Sequence, residues 1–88
     1  MRVYVLHLRG VAALTRAFDR VMDSRHVASC LIEPESRRIR FLAPRRPADA
    51  LVEIIYAEGG LTWCSQHDLV LRGSEAELGP PVHLRSVS

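Results

Sequence analysis

The stretch Val27-Ala28-Ser29-Cys30-Leu31-Ile32-Glu33-Pro34-Glu35-Ser36-Arg37-Arg38-Ile39-Arg40-Phe41-Leu42 decides the fold. Its first half alternates, with Ala28, Cys30 and Ile32 on one face, and Arg38-Ile39-Arg40-Phe41-Leu42 alternates again. Glu33-Pro34-Glu35-Ser36-Arg37 between them is turn chemistry, because Pro has no N–H for a ladder and Ser favours turns. So short a connection joins antiparallel neighbours, and the stretch predicts a hairpin.

Working upstream, residues 2–8 alternate and are rich in Val, Tyr and Leu, which reads as a strand. Arg9-Gly10 breaks it. Val11, Leu14, Ala17, Phe18, Val21 and Met22 then recur at helical spacing and predict a helix over 11–24. Arg16–Asp19 and Arg20–Asp23 are i,i+3 ion pairs on its polar side. Downstream, Ala43-Pro44-Arg45-Arg46-Pro47 is a loop, and Pro47 suits the first turn of a second helix. Ala50, Leu51, Ile54, Ile55 and Ala57 continue that helix until Gly59-Gly60 ends it. Leu61 to Leu71 contains a fourth strand. Residues 73–88 are polar and punctuated by Pro and Gly, which predicts a flexible C-terminal tail.

The order is therefore β-α-β-β-α-β, an α+β, ferredoxin-like sandwich over residues 1–72. Two amphipathic helices bury their stripes on one face of a four-stranded antiparallel sheet. The right-handed crossover rule gives the strand order 4-1-3-2. The expected core is Leu6, Leu8, Leu14, Phe18, Val21, Cys30, Ile32, Ile39, Phe41, Leu51, Ile54 and Ile55. The other face of the sheet is left open.

With 88 residues there is room for one domain, and 48% hydrophobic with 25% charged residues is an ordinary globular balance. All twelve basic residues are Arg, but they are scattered and the net charge is only +2, too little to mark a nucleic-acid binder. No apolar run reaches the ~18 residues of a membrane span. The N-terminus lacks the small-residue cleavage site of a signal peptide and the two cysteines form no close motif, so a cytoplasmic protein with reduced thiols is expected.

Two segments resemble the heavy-metal-associated (HMA) domain of copper chaperones and metal-transporting ATPases. Val27 to Glu33 through Arg38 to Phe41 is similar to that family's second and third strands. Leu51-Val52-Glu53-Ile54-Ile55-Tyr56-Ala57-Glu58-Gly59 is similar to its second helix and the Gly that ends it. Leu14, Ala17 and Val21 fall where its first helix is apolar, and the likeness covers about residues 3–71. The family grips a soft cation with two thiolates of Gly-Met-x-Cys-x-x-Cys. In that register this chain has His7-Leu8-Arg9-Gly10-Val11-Ala12-Ala13, with Gly10 and Ala13 at the cysteine positions. The resemblance thus implies an HMA-like module in which the metal-binding motif is absent and no cofactor is expected. A second, weaker resemblance is to the amino-acid-binding ACT domain, whose Gly-rich turn before the first helix is echoed by Gly10. It implies a small-molecule sensor with ligand at a dimer interface.

Among single residues, Cys64-Ser65-Gln66-His67 has Cys-x-x-His spacing, but residues three apart on a strand point to opposite faces. A displaced copper or zinc site would draw on Cys64, His67 and His7. Cys30 reads as a small core hydrophobe. Ser65, His67 and Asp68 have the residue types of a catalytic triad, though neighbours on a strand are not expected to reach its geometry. No acid, base and nucleophile converge, so no enzyme is expected.

The open face is more informative. By alternation it carries Val3, Val5, His7, Ser29, Leu31, Arg38, Arg40 and Leu42, more apolar than a free face needs to be. As a single-stranded RNA platform it lacks outward aromatics, since Tyr4 and Phe41 alternate inward. The expectation is a non-catalytic module acting by contact with a protein partner or by homodimer formation. Val3, Val5, Leu31, Arg38, Arg40 and Leu42 would make the contact, and Val5→Asp with Leu31→Asp would abolish it while leaving the fold intact.

Overall fold

The computed structural model describes residues 2–72 and 75–86, with the main chain alone at 69–72, 75–78 and 80–86. The elements run β1 (Arg2–Leu8), α1 (Val11–Asp23), β2 (Ser29–Glu33), β3 (Arg38–Ala43), α2 (Arg45–Glu58), β4 (Leu61–Arg72) and β5 (Glu75–Ser86). All pairings are antiparallel, in the order β2-β3-β1-β4-β5. The first four strands stand in the expected order, and the fold is α+β and ferredoxin-like.

The expected hairpin pairs Ser29 with Leu42 through Glu33 with Arg38. Its turn closes with the Arg37 N–H donating to Pro34 O at 3.2 Å, and Arg37 takes a left-handed φ of 54°. On β1, Tyr4, Leu6 and Leu8 point to the helices and are buried, matched by Ile39, Phe41 and Ala43 on β3. The Tyr4 and Phe41 rings stack at 5.3 Å. Phe18, Val27, Cys30 and Ile32 pack around this core while staying partly exposed.

Helix α1 buries Ala13, Leu14, Ala17 and Val21, one stripe at three- and four-residue spacing. Arg20 does not serve Asp23 as expected. It reaches across to Glu58 at the end of α2, with Nε at 3.0 Å and Nη2 at 3.1 Å from the two carboxylate oxygens. A fork of two donors on one carboxylate outcompetes a single i,i+3 contact.

Helix α2 begins at Arg45, two residues before Pro47, with Pro44 at its N-cap. Pro47 sits inside the first turn, where an N–H would have no helical acceptor in any case. The buried stripe is Ala48, Leu51, Val52 and Ile55. Ile54 lies roughly 120° from its centre at 3.6 residues per turn. It is 46% exposed, which corrects its place in the expected core.

Gly59 and Gly60 both hold positive φ, +87° and +86°. The Gly60 carbonyl accepts the Arg9 N–H at 2.7 Å, tying the start of β4 to the turn before α1. Next along the chain, the β1–β4 register shifts between His7 and Leu8. The shift sets Leu61 as well as Cys64 into the core.

Residues 73–88, expected as a tail, instead add a strand. Glu75–Ser86 lies along β4 from Arg72↔Glu75 to Trp63↔Ser86, with two register shifts. Gly79-Pro80-Pro81 reads as a breaker, yet Pro is tolerated on an edge strand, where an N–H facing away from the sheet is not needed. Residues 73, 74, 87 and 88 lie outside the described residues.

Candidate functional site

The two helices cover one face of the sheet, and the strand registers lay out the other as a grid. One row across β2, β3, β1 and β4 reads Leu31, Arg40, Val5, Ser65; the next reads Glu33, Arg38, His7, Trp63. A third reads Ser29, Leu42, Val3, His67. Every one of these positions follows from period-two alternation once the register is set.

At the centre of the grid is an open depression of about 270 Å³, lined by Val5, His7, Arg38, Arg40, Trp63, Ser65 and His67. Val5 is 7% exposed and Ser65 fully buried, so together they form its floor. This corrects the expectation that Val5 is an exposed contact residue: it stands at the bottom of the depression, between Arg40 on β3 and Ser65 on β4. Val3, Arg38, Arg40 and Leu42 are half-buried, and Leu31 stands out at 52% exposure.

Glu33 lies between the two arginines. Arg38 Nη2 donates to Oε2 at 2.9 Å, and Arg40 Nε stands 3.3 Å from Oε1. The second contact is ionic without directed hydrogen-bond geometry. Arg38 Nε also donates to Ser36 Oγ at 3.3 Å. Among the described residues, two guanidiniums on one carboxylate leave this part of the face with one positive charge in excess.

Two imidazoles flank this charge. His7 meets the Trp63 ring edge-on at 4.8 Å. Burial, and then the Arg38 guanidinium, hold its pKa below the usual histidine range, with Glu33 opposing them. A neutral imidazole at pH 7 follows. His67 is held from both sides, with Nε2 3.1 Å from Ser65 Oγ and Nδ1 3.1 Å from the Gly79 carbonyl. A carbonyl only accepts, so Nδ1 carries the hydrogen, and in the neutral ring Nε2 accepts from the Ser65 hydroxyl.

Ser65 and His67 therefore do meet, contrary to expectation, because residues i and i+2 share a strand face. Asp68 is not their third member: its carboxylate binds Arg2 Nε at 2.9 Å. The Ser65 hydroxyl is shut away from solvent, and the pair reads as a brace between β4 and β5.

The displaced metal set does not converge. Cys64 is fully buried in the core, on the helix side, while His7 and His67 lie on the open face. Among the described residues no group of three or more His, Cys, Asp or Glu side chains is placed to hold a metal ion. Cys30 is half-buried, and burial pushes its thiol pKa up, away from the reactive thiolate. Gly10 caps α1 with extended backbone at φ −158° and has open space around its α-carbon.

Trp63 and Glu33 belong to the face but were not singled out from sequence, and Ser65 was weighed only for its triad residue type. Their signal is the same alternation that placed His7 and Val5, hidden until β4 is set in register against β1 and β3. The chain matches no family model, no curated protein and no solved structure.

Proposed function

We propose that the chain is a non-catalytic, HMA-like binding module, lacking the metal-gripping cysteines, that docks an acidic protein partner on its open sheet face. The observation that carries this reading is the pairing, among the described residues, of apolar surface with positive charge in excess on one face. Leu31 is half exposed beside Arg38 and Arg40, which share a single carboxylate. Apolar area supplies affinity, and charge selects the partner.

The charge also favours a partner over a homodimer. Two copies packed through this face would bring their excess guanidinium charges together, which like-charge repulsion opposes. An Asp- or Glu-bearing surface neutralises the face and leaves Leu31, Leu42 and Val3 free to pack.

The test is selection of displayed random peptides on the wild-type protein, repeated on Leu31→Asp and Arg40→Glu. Enrichment of acidic sequences with an apolar residue is expected, weakened at least tenfold by either substitution. Enrichment of basic or uncharged sequences, or indifference to Leu31→Asp, contradicts the reading. Sedimentation should show a monomer, and a dimer broken by Leu31→Asp would make a second copy the occupant instead.

A further inference from the structure

The depression over Val5 holds hydrogen-bonding groups that the fold itself does not use. Among the described residues, Arg40 approaches Glu33 through Nε at 3.3 Å, short of a directed hydrogen bond. Arg38 leaves Nη1 free, since its Nε and Nη2 are taken by Ser36 and Glu33. His7 touches Trp63 through its ring, and among the described residues neither of its ring nitrogens makes a hydrogen bond. These free donors stand along the β3 and β1 side. The β4 side offers the Trp63 indole, and the floor is the Val5 side chain.

Shape and charge narrow what fits. Arg40 on β3 and Trp63 on β4 line the depression from opposite sides of β1, with Val5 on its floor. That arrangement suits a flat ring carrying an acidic group at one end. Among the described residues, two guanidiniums against Glu33 leave a single positive charge, which a monoanion neutralises. A phosphate monoester, at about −1.5 to −2, would overfill it. A guanidinium edge pairs with a carboxylate in a two-pronged fork, and an aromatic ring packs on the indole edge and the valine floor.

We propose that this depression is a binding site for a small aromatic monocarboxylate. Arg40 grips the carboxylate, Arg38 and His7 complete its hydrogen bonds, and Trp63 and Val5 contact the ring. The site goes beyond protein docking: it uses the centre of the face, whereas Leu31 lies on the edge strand outside it.

The experiment is a titration of the full chain with indole-3-acetate, followed by amide and indole N–H resonances. Indole and inorganic phosphate are run at the same concentrations. Indole-3-acetate should move the Trp63 indole N–H and the Val5 and Ser65 amides with a Kd of about millimolar, the affinity expected of a fragment this small. Indole and phosphate should leave them in place. Arg40→Gln should weaken binding at least tenfold, and Trp63→Leu should weaken it independently, each in a protein whose thermal unfolding shows it folded. Leu31→Ser, which removes the apolar contact of the docking reading without setting a carboxylate opposite Arg40, should bind as wild type, which separates this site from that reading. The proposal is overturned if indole or phosphate produces the same shifts, or if Arg40→Gln binds as well as wild type.

Discussion

A β-carbon added at Gly60 would overlap the Ala13 side chain on the first turn of α1, while one added at Gly59 meets nothing within 4 Å. Both glycines hold positive φ. Gly59→Ala therefore suffers backbone strain alone, on the order of 1–3 kcal/mol. Gly60→Ala suffers comparable strain plus an overlap costing about 1–3 kcal/mol in a packed interior. A chain of this size has on the order of 4–13 kcal/mol in total. Raw ranking of the two variants would mix strain with overlap, so the discriminating experiment is a double-mutant cycle with Ala13→Gly. Removing the Ala13 methyl relieves the overlap only in the Gly60→Ala background. Urea unfolding followed by far-UV circular dichroism should give a coupling of about 1–3 kcal/mol for the 13/60 pair. The 13/59 pair should be additive within about 0.5 kcal/mol. Equal couplings in the two cycles would refute the close packing of the β4 start on α1.

Three further outcomes follow from burial and charge. Val5→Asp should lower the urea midpoint sharply, because an unpaired carboxylate replaces a 7% exposed side chain; Leu31→Asp, at 52% exposure, should leave the midpoint within experimental error. Since the folded state holds the His7 pKa below its ordinary 6.5, the unfolded chain binds the proton first. Stability is then lost as pH falls below about 6.5 toward the lower folded value, and His7→Gln should flatten that part of the pH profile; an unchanged profile would show that His7 is not held neutral. Burial, with the Asp49 charge, raises the Tyr4 pKa from 10.0 to about 12, so the folded state keeps its proton longer than the unfolded chain. Stability should fall between those pH values, and Tyr4→Phe should remove that alkaline limb in pH-dependent urea unfolding.

Local pattern carried most of the fold. The β2–β3 hairpin is legible because Pro34 and Ser36 interrupt two alternating runs, and α1 because its small and aliphatic residues fall on one stripe. Features that depend on neighbours distant in the chain were not legible. Ile54 looks like a core residue in any helical window, and only the docked orientation of α2 turns it outward. Val5 belongs to an open face by alternation, yet it is only 7% exposed on the central strand, between β3 and β4. Arg20 has an adequate partner three residues away and a better one on α2, which no local reading finds. Strand β5 was hidden by Gly79-Pro80-Pro81, where local breaker chemistry lost to pairing along an available sheet edge. On the open face, Arg38, Arg40 and His7 were placed by alternation, while Trp63 and Ser65 required the β1–β4 register.

The most direct test of the open face as the working surface is a methyl-resolved NMR titration of the wild-type chain with the acidic peptides selected on it. Methyl groups report the two faces separately, which strand amides do not. The methyls of Val3, Leu31 and Leu42 and the Trp63 indole N–H should shift, while those of Val11, Met22 and Ile54 on the helices stay in place. Shifts confined to the helix methyls would put the contact on the opposite side of the molecule and contradict the account.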